Sequence, residues 1–331
     1  MNETVTSKKT IKQSRRLLFL LILTLILLTG CAQGEKAENN VPIRIASLKG
    51  PTSMGLLFMK EDTSIYSFQM ATTVDEILPL MMKEELDIAL LPANVAAILY
   101  DKMEGGITVT HINTLGVLYM VSEDDSIKQV EDLRGKTIYL TGKGTTPDYV
   151  LRYILSENGL EETEYTLEYK SEATEVAAIL LEEEDAIGLL PQPFVTAACV
   201  QNPSLHIVMD LNEQWDLRKG SEGSSMVTGV TVVRTAFLEE NEEAVRSFME
   251  QHKNSSQAIN TDVEKGAKRC VEEGIIANEV IAEKAIPECN ITYIDGMEMK
   301  KALSNYLKVI GEQNIESIGG SIPKDDFYYI P

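Results

Sequence analysis

The sequence predicts an α/β fold of two lobes, each a β-α-β sheet, joined by two hinge strands and completed by a helical C-terminal tail. Three observations predict it. The corner Lys49-Gly50-Pro51-Thr52-Ser53 is echoed 94 residues on by Lys143-Gly144-Thr145-Thr146-Pro147, each after a short strand-like stretch. Each corner opens a segment that reads β-α-β-α-β and closes on Leu-Leu-Pro, at 90–92 and at 189–191. Two apolar stretches, 114–123 and 226–238, bracket the second segment as strands crossing out of the first lobe and back.

The chain begins with a basic region ending at Arg15-Arg16, then a largely apolar run of 12 residues from Leu17 to Leu28, then Thr29-Gly30-Cys31. A bilayer span needs about 20 apolar residues, so this order reads as a secretory signal over 1–30. The polar stretch 31–41 reads as a flexible tether. The remaining boundaries are 42–118 for the first part of lobe one, 119–230 for lobe two, and 231–331 for the return to lobe one with its helices.

In the first copy, Val41 to Ala46 alternates as a strand, a helix candidate follows the corner, and Ser64 to Phe68 is strand-like. Thr73-Val74-Asp75-Glu76 is a capping-box pattern, followed by apolar residues at helical spacing. Pro79 falls inside that stretch and is expected to bend or restart the helix. The buried-strand signature beginning at Leu86 breaks at Pro92. In the second copy, 146–157 is a helix candidate stopped by Gly159, Tyr165 to Tyr169 a strand, and the run through Val176 and Leu180 a helix. These units imply a mainly parallel sheet. The tail reads as helices over 239–259, 261–273, 278–285 and 296–313, packed on lobe one.

Net charge is −21, and the residues after 30 hold 25 basic against 50 acidic groups. Such a surface repels nucleic acid and anionic lipid, which excludes a nucleic-acid partner and argues mildly against nitrate or sulfate. The acidic runs 182–185 and 239–243 read as solvated helix faces. Cys199, Cys270 and Cys289 have neither even number nor CxxC spacing, so they predict buried thiols, with neither a disulfide framework nor a zinc site. No cofactor is implied.

Neither corner supplies GxxxxGK[ST] or GxSxG, which argues against a phosphate loop and a nucleophile elbow. His111, His206 and His252 have no partner at metal or triad spacing; His111 is placed at a strand end, with a structural role preferred to a cleft role. Further lining candidates sit where strands meet helices: Thr72 and Thr73, Pro92-Ala93-Asn94, Thr114 and Gly116, and Gln192 with Pro193. Asn94 and Gln192 both donate and accept hydrogen bonds, which suits a polar heterocycle. Tyr119, Tyr149, Phe194 and Trp215 can stack on a flat ligand, although core packing is the preferred reading for each. Lys49 and Lys143 offer local positive charge.

The segments VEDLRGKTIYLTGKGTTPDYVLRYILSENGL (130–160), GLLPQPFVTAACVQNPSLHIVMDLNEQW (188–215) and TGVTVVRTAFLEENEEAVRSFMEQHKNSS (228–256) resemble solute-binding proteins of ABC importers. The resemblance is to the nitrate/sulfonate/taurine and thiamine-pyrimidine-precursor group, covers nearly all of 42–331, and implies a type II periplasmic-binding-protein fold. It implies a monomer that closes on a small molecule and hands it to a membrane permease with its ATPase, with no bond chemistry. It also implies that Gly50, Pro51, Thr52, Ser53 and Met54, with Gly144, Thr145 and Thr146, line the cleft. Leu28-Thr29-Gly30-Cys31 resembles a bacterial lipobox, which implies lipidation of Cys31 and anchoring on the extracytoplasmic face of the cell membrane. Two alternatives stand beside this reading: an enzyme on the same fold, of the pyrimidine-precursor synthase kind, and a ligand-sensing lipoprotein. Export of the chain argues against the first.

Overall fold

A computed structural model describes residues 42–60, 64–217 and 225–331. The expected signal, the tether and Cys31 lie outside the described residues. The first copy of the repeat folds as β1 (Ile43–Leu48), α1 (Pro51–Met54), β2 (Tyr66–Ala71), α2 (Val74–Met82), β3 (Ile88–Pro92) and α3 (Ala93–Lys102). β4 (Ile107–Leu115) and β5 (Leu118–Ser122) lead to the second copy. That copy runs β6 (Thr137–Thr141), α4 (Thr146–Glu157), β7 (Thr166–Lys170), α5 (Ala173–Glu182), β8 (Ile187–Pro191), α6 (Phe194–Gln201), β9 (His206–Asp210) and α7 (Leu211–Asp216). β10 (Val227–Arg234) then precedes α8 (Thr235–Glu240), α9 (Glu242–Thr261), α10 (Val263–Glu272), α11 (Glu279–Ala285), β11 (Ile291–Asp295) and α12 (Gly296–Gln313).

The repeat is topological as well as sequential. The sheets are ordered β11-β4-β10-β3-β1-β2 and β7-β6-β8-β5-β9. β1 pairs in parallel with β2 and β3, as β6 does with β7 and β8. The lysine-glycine corners share a backbone requirement: Gly50 has φ +132° and Gly144 has φ +71°, regions that a Cβ penalises. Ile45 pairs with Ile88 and Ile138 with Ile187, so the apolar sides of the strands coincide in the two halves.

Several expectations are corrected. The sheets are mixed, not mainly parallel, because β10 and β5 insert antiparallel beside β3 and β8. Such strands return along the sheet from the opposite end, a geometry that the βαβ pattern does not encode. The stretch 114–123 is not one strand: it breaks at Gly116-Val117, with Leu115 in the first sheet and Leu118 in the second. α2 continues through Pro79, six residues in, where only the hydrogen bond toward the Asp75 carbonyl is lost. Its capping box forms as read, with Thr73 N and Thr73 Oγ1 donating to Glu76 Oε1 at 2.9 and 3.2 Å. The helix after the first corner is a single four-residue turn.

The tail adds β11 to the first sheet and packs α9 to α11 over it. α12 reaches further. Its Tyr306 ring lies 5.3 Å from Trp215 on α7, which lies 4.8 Å from Tyr153 on α4. Trp215 is fully buried there. One apolar core therefore joins the tail to the helices of the second sheet. Cys270 and Cys289 are buried thiols and Cys199 is half-buried; burial raises the pKa of all three.

Candidate functional site

The carboxyl ends of β3 and β8 turn at Pro92 and Pro191 toward a shared cavity of about 350 Å³. Ligands of open α/β sheets bind beyond strand carboxyl ends, so this is where the repeat should place a site. From the first half come Val74 at the start of α2, and Asn94 and Val95 in the first turn of α3. From the second come Thr145, Thr146 and Pro147 at the start of α4. The two passages between the sheets add Val117, Leu118 and Thr228. The volume is near the lower end of small-molecule sites, about 300–1,000 Å³.

Polar groups at the cavity are largely committed within the protein. Thr146 Oγ1 donates to Asn94 Oδ1 at 3.2 Å, linking α4 to α3 across the two halves. Asn94 Nδ2 in turn donates to the Ser317 carbonyl at 3.3 Å, which fixes the direction of the amide. Thr145 Oγ1 donates to the Gly142 carbonyl at 2.6 Å. Behind them, Asp148 accepts from Gly144 N at 2.8 Å, Arg152 Nε at 2.7 Å and Tyr169 Oη at 2.7 Å. Arg152 is fully occupied, with its other nitrogens on Glu162 and the Tyr169 hydroxyl. Asn314 Nδ2 donates to Tyr149 Oη at 2.8 Å and ties the end of α12 to α4.

Of the residues singled out in the sequence, Pro92, Asn94, Thr145 and Thr146 line this cavity. Ala93 is buried in α3 beside them. The first corner lies elsewhere: Thr52 Oγ1 donates to the Leu48 carbonyl at 3.1 Å and Ser53 Oγ to the Gly50 carbonyl at 2.9 Å. Met54 is buried against the tail, and neither Gly50 nor Pro51 lines the cavity. Thr72 and Thr73 are exposed and engaged with Glu76. Thr114 is buried and donates to Asn113 Oδ1 at 2.9 Å. Gly116 is a packing position, since a Cβ there would stand 2.2 Å from Met226 Cε. Gly144 is held by Asp148. Gln192 accepts from Thr196 Oγ1 at 2.8 Å through Oε1, while its buried Nε2 has no partner among the described residues. Pro193 caps α6 after a cis Gln192-Pro193 bond. Lys143 lies 5.3 Å from the centre of the Tyr169 ring, and Lys49 is exposed.

Pro191 lines the cavity as the end of the second Leu-Leu-Pro corner, whereas Val74, Val95, Val117, Leu118, Pro147 and Thr228 were not singled out as lining residues. Their signal is weak, because an apolar residue next to a strand end reads as core in sequence. The candidate stacking rings Tyr119, Tyr149 and Trp215 are buried core residues, and Phe194 is at the surface. His111 does not end a strand. It lies inside β4, fully buried, with Nε2 2.7 Å from His252 Nδ1. Among the described residues no group of His, Cys, Asp or Glu is arranged to hold a metal, and no helix is long and apolar enough to cross a membrane.

A family model described as ABC transporter, phosphonate, periplasmic substrate-binding protein matches residues 64–261. An ABC transporter from Parabacteroides distasonis is similar in structure, with 26% identity over 88% of this chain and 98% of that one, at TM-score 0.74. The periplasmic aliphatic sulphonate binding protein SsuA from Escherichia coli is 14% identical over 86% of this chain and 95% of its own, at TM-score 0.67. The alkanesulfonate-binding protein SsuA from Xanthomonas axonopodis pv. citri, bound to MOPS, is 13% identical over 86% and 94%, at TM-score 0.60. These last two likenesses concern the fold. No curated protein matches the chain.

Proposed function

The chain belongs to the periplasmic substrate-binding proteins of ABC transporters of the phosphonate family, and from that premise we propose that it captures one small organic molecule between two lobes and delivers it to a permease powered by an ATPase. The observation that carries the reading is the cavity fed by both halves of the repeat, with the Thr146–Asn94 hydrogen bond running across it. Such a bond contributes about 0.5–1.5 kcal/mol, too little to hold lobes together against an opening motion, yet enough to favour closure once ligand is seated. No side chain is positioned here as a nucleophile with its base, so binding alone is the proposed activity, without bond chemistry.

The proposed lobes are 42–118 with 231–331, and 119–230. The proposed working form is a monomer held on the outer face of the cell membrane by lipid on Cys31. Protein isolated gently from its own cells should release a small molecule on denaturation. Leu118 lines the cavity and is 5% exposed, so Leu118→Trp should fill the space and abolish the bound molecule while the circular dichroism spectrum stays native. Retention of the same molecule by a folded Leu118→Trp protein would remove this cavity as the site. Membrane fractionation of Cys31→Ala, expected to be released, tests the anchor.

A further inference from the structure

We infer that the cavity takes an uncharged ligand with an apolar body and hydrogen-bond donors, and that it rejects sulfonates, phosphonates and other oxyanions. This rests on the solute-binding reading above and specifies its ligand. None of the described residues lining the cavity is charged. An oxyanion entering a small cavity loses part of its hydration and needs cations or converging donors in return. The lining supplies no cation.

Donors are thinned for local reasons. Three of the strand-to-helix corners around the cavity carry proline, which has no N–H: Pro92 before α3, Pro147 at the second position of α4, and Pro191 and Pro193 before α6. At the start of α2, which has no proline, the Thr72 and Thr73 amides are committed to Glu76 Oε1. Of the three lining threonines, two also have their hydroxyl protons committed, Thr145 to Gly142 O and Thr146 to Asn94 Oδ1. What these two hydroxyls still present is oxygen lone pairs. An incoming sulfonate or phosphonate would meet lone pairs, whereas an N–H or O–H of a ligand would be accepted.

Electrostatics at α4 point the same way. A helix start draws anions through its dipole. Here Asp148 already occupies that position, at the third residue of α4, and is 4% exposed. Of the nearby cations, Arg152 is engaged by Asp148, Glu162 and Tyr169, and Lys143 lies exposed over the Tyr169 ring without lining the cavity. The absence of a lining carboxylate disfavours a cationic ligand equally. The surrounding carbon, from Val74, Val95, Val117, Leu118 and the prolines, is suited to a ring or short chain.

The test is a competition read by native mass spectrometry. Ligand-stripped protein is incubated with an equimolar mixture of neutral probes (nicotinamide, uracil, adenine, indole, benzamide) and oxyanion probes (ethanesulfonate, benzenesulfonate, methylphosphonate, phenylphosphonate). Bound neutral probe is expected, with affinity unchanged within about twofold between roughly 0.05 and 0.5 M salt, because no ion pair is formed. Adding a cation through Thr145→Lys should lower neutral binding and permit an anion to bind. Selection of a sulfonate or phosphonate by the unaltered protein would overturn the ligand class while leaving solute binding intact. Capture of no probe, together with no molecule released from natively isolated protein, would overturn the solute-binding reading and the ligand class with it.

Discussion

Acid should destabilise this protein through two histidines that have no part in the cleft. Thr110 Oγ1 donates to the Thr231 carbonyl at 3.2 Å, so at its 3.0 Å contact with His111 it can only accept, which puts a proton on His111 Nδ1. Neutral His111 then accepts at Nε2 from His252 Nδ1–H, leaving His252 Nε2 as a bare, buried acceptor. Protonating that atom would place a charge in the interior among Phe248, Tyr293 and Ser256, without a carboxylate partner. Burial accordingly lowers His252 to about 3 and His111 well below its ordinary value.

An unfolded histidine titrates near 6.5, so below that pH the unfolded chain binds protons that the fold refuses. The sign follows: stability is full above about pH 6.5 and falls as pH drops toward the folded values, by about 1.4 kcal/mol per histidine per pH unit. Between about pH 7.5 and 5.5 the pair should cost roughly 3 kcal/mol, a large share of a typical 5–15 kcal/mol. Asp87 and Asp124, lowered by their Arg and Lys partners, lose stability only at more acid pH, and Asp210, raised by burial, acts in the opposite direction. Urea unfolding followed by fluorescence of the single, buried Trp215 reads the change directly. An identical urea midpoint at the two pH values would refute the buried neutral pair. His252→Gln should halve the pH slope.

Three further outcomes are expected. Trp215→Ala should cost about 3–5 kcal/mol, measured by thermal unfolding in circular dichroism, because it removes the ring wedged between Tyr153 and Tyr306. Gly229→Ala should cost about 1–3 kcal/mol in the same assay, since its Cβ would stand 2.5 Å from Asn113 Oδ1 and 2.6 Å from Thr52 Cγ2. Asp148→Asn should lower stability by about 1–3 kcal/mol and also weaken ligand binding, because the carboxylate holds the Gly144 amide and Arg152 together behind the cleft. Isothermal calorimetry with the molecule recovered from native protein checks the second effect.

The repeat was legible because it is written locally. A glycine with positive φ, a proline at a helix start, a capping box at Thr73 and a Leu-Leu-Pro strand end each act within a few residues. The family likeness and the two-sheet plan could therefore be read before any coordinates, as could Asn94, Thr145 and Thr146 as cleft candidates. Less local matters could not. Whether β5 and β10 run antiparallel to their neighbours depends on where the chain re-enters each sheet, which no short stretch records. The pairing of His111 with His252 joins positions 141 residues apart.

The two Lys-Gly corners show the division most clearly. In sequence they are equivalent, each a hydroxyl-rich turn after a strand. In the fold the second corner opens on the cavity, while the hydroxyls of the first, Thr52 and Ser53, bond their own backbone and Met54 is buried under the tail. Sequence by itself determined the local geometry of both corners, since backbone preference and capping are short-range. Tertiary structure alone decided which corner opens on the cavity, because that depends on the distant helices that cover one corner and leave the other open.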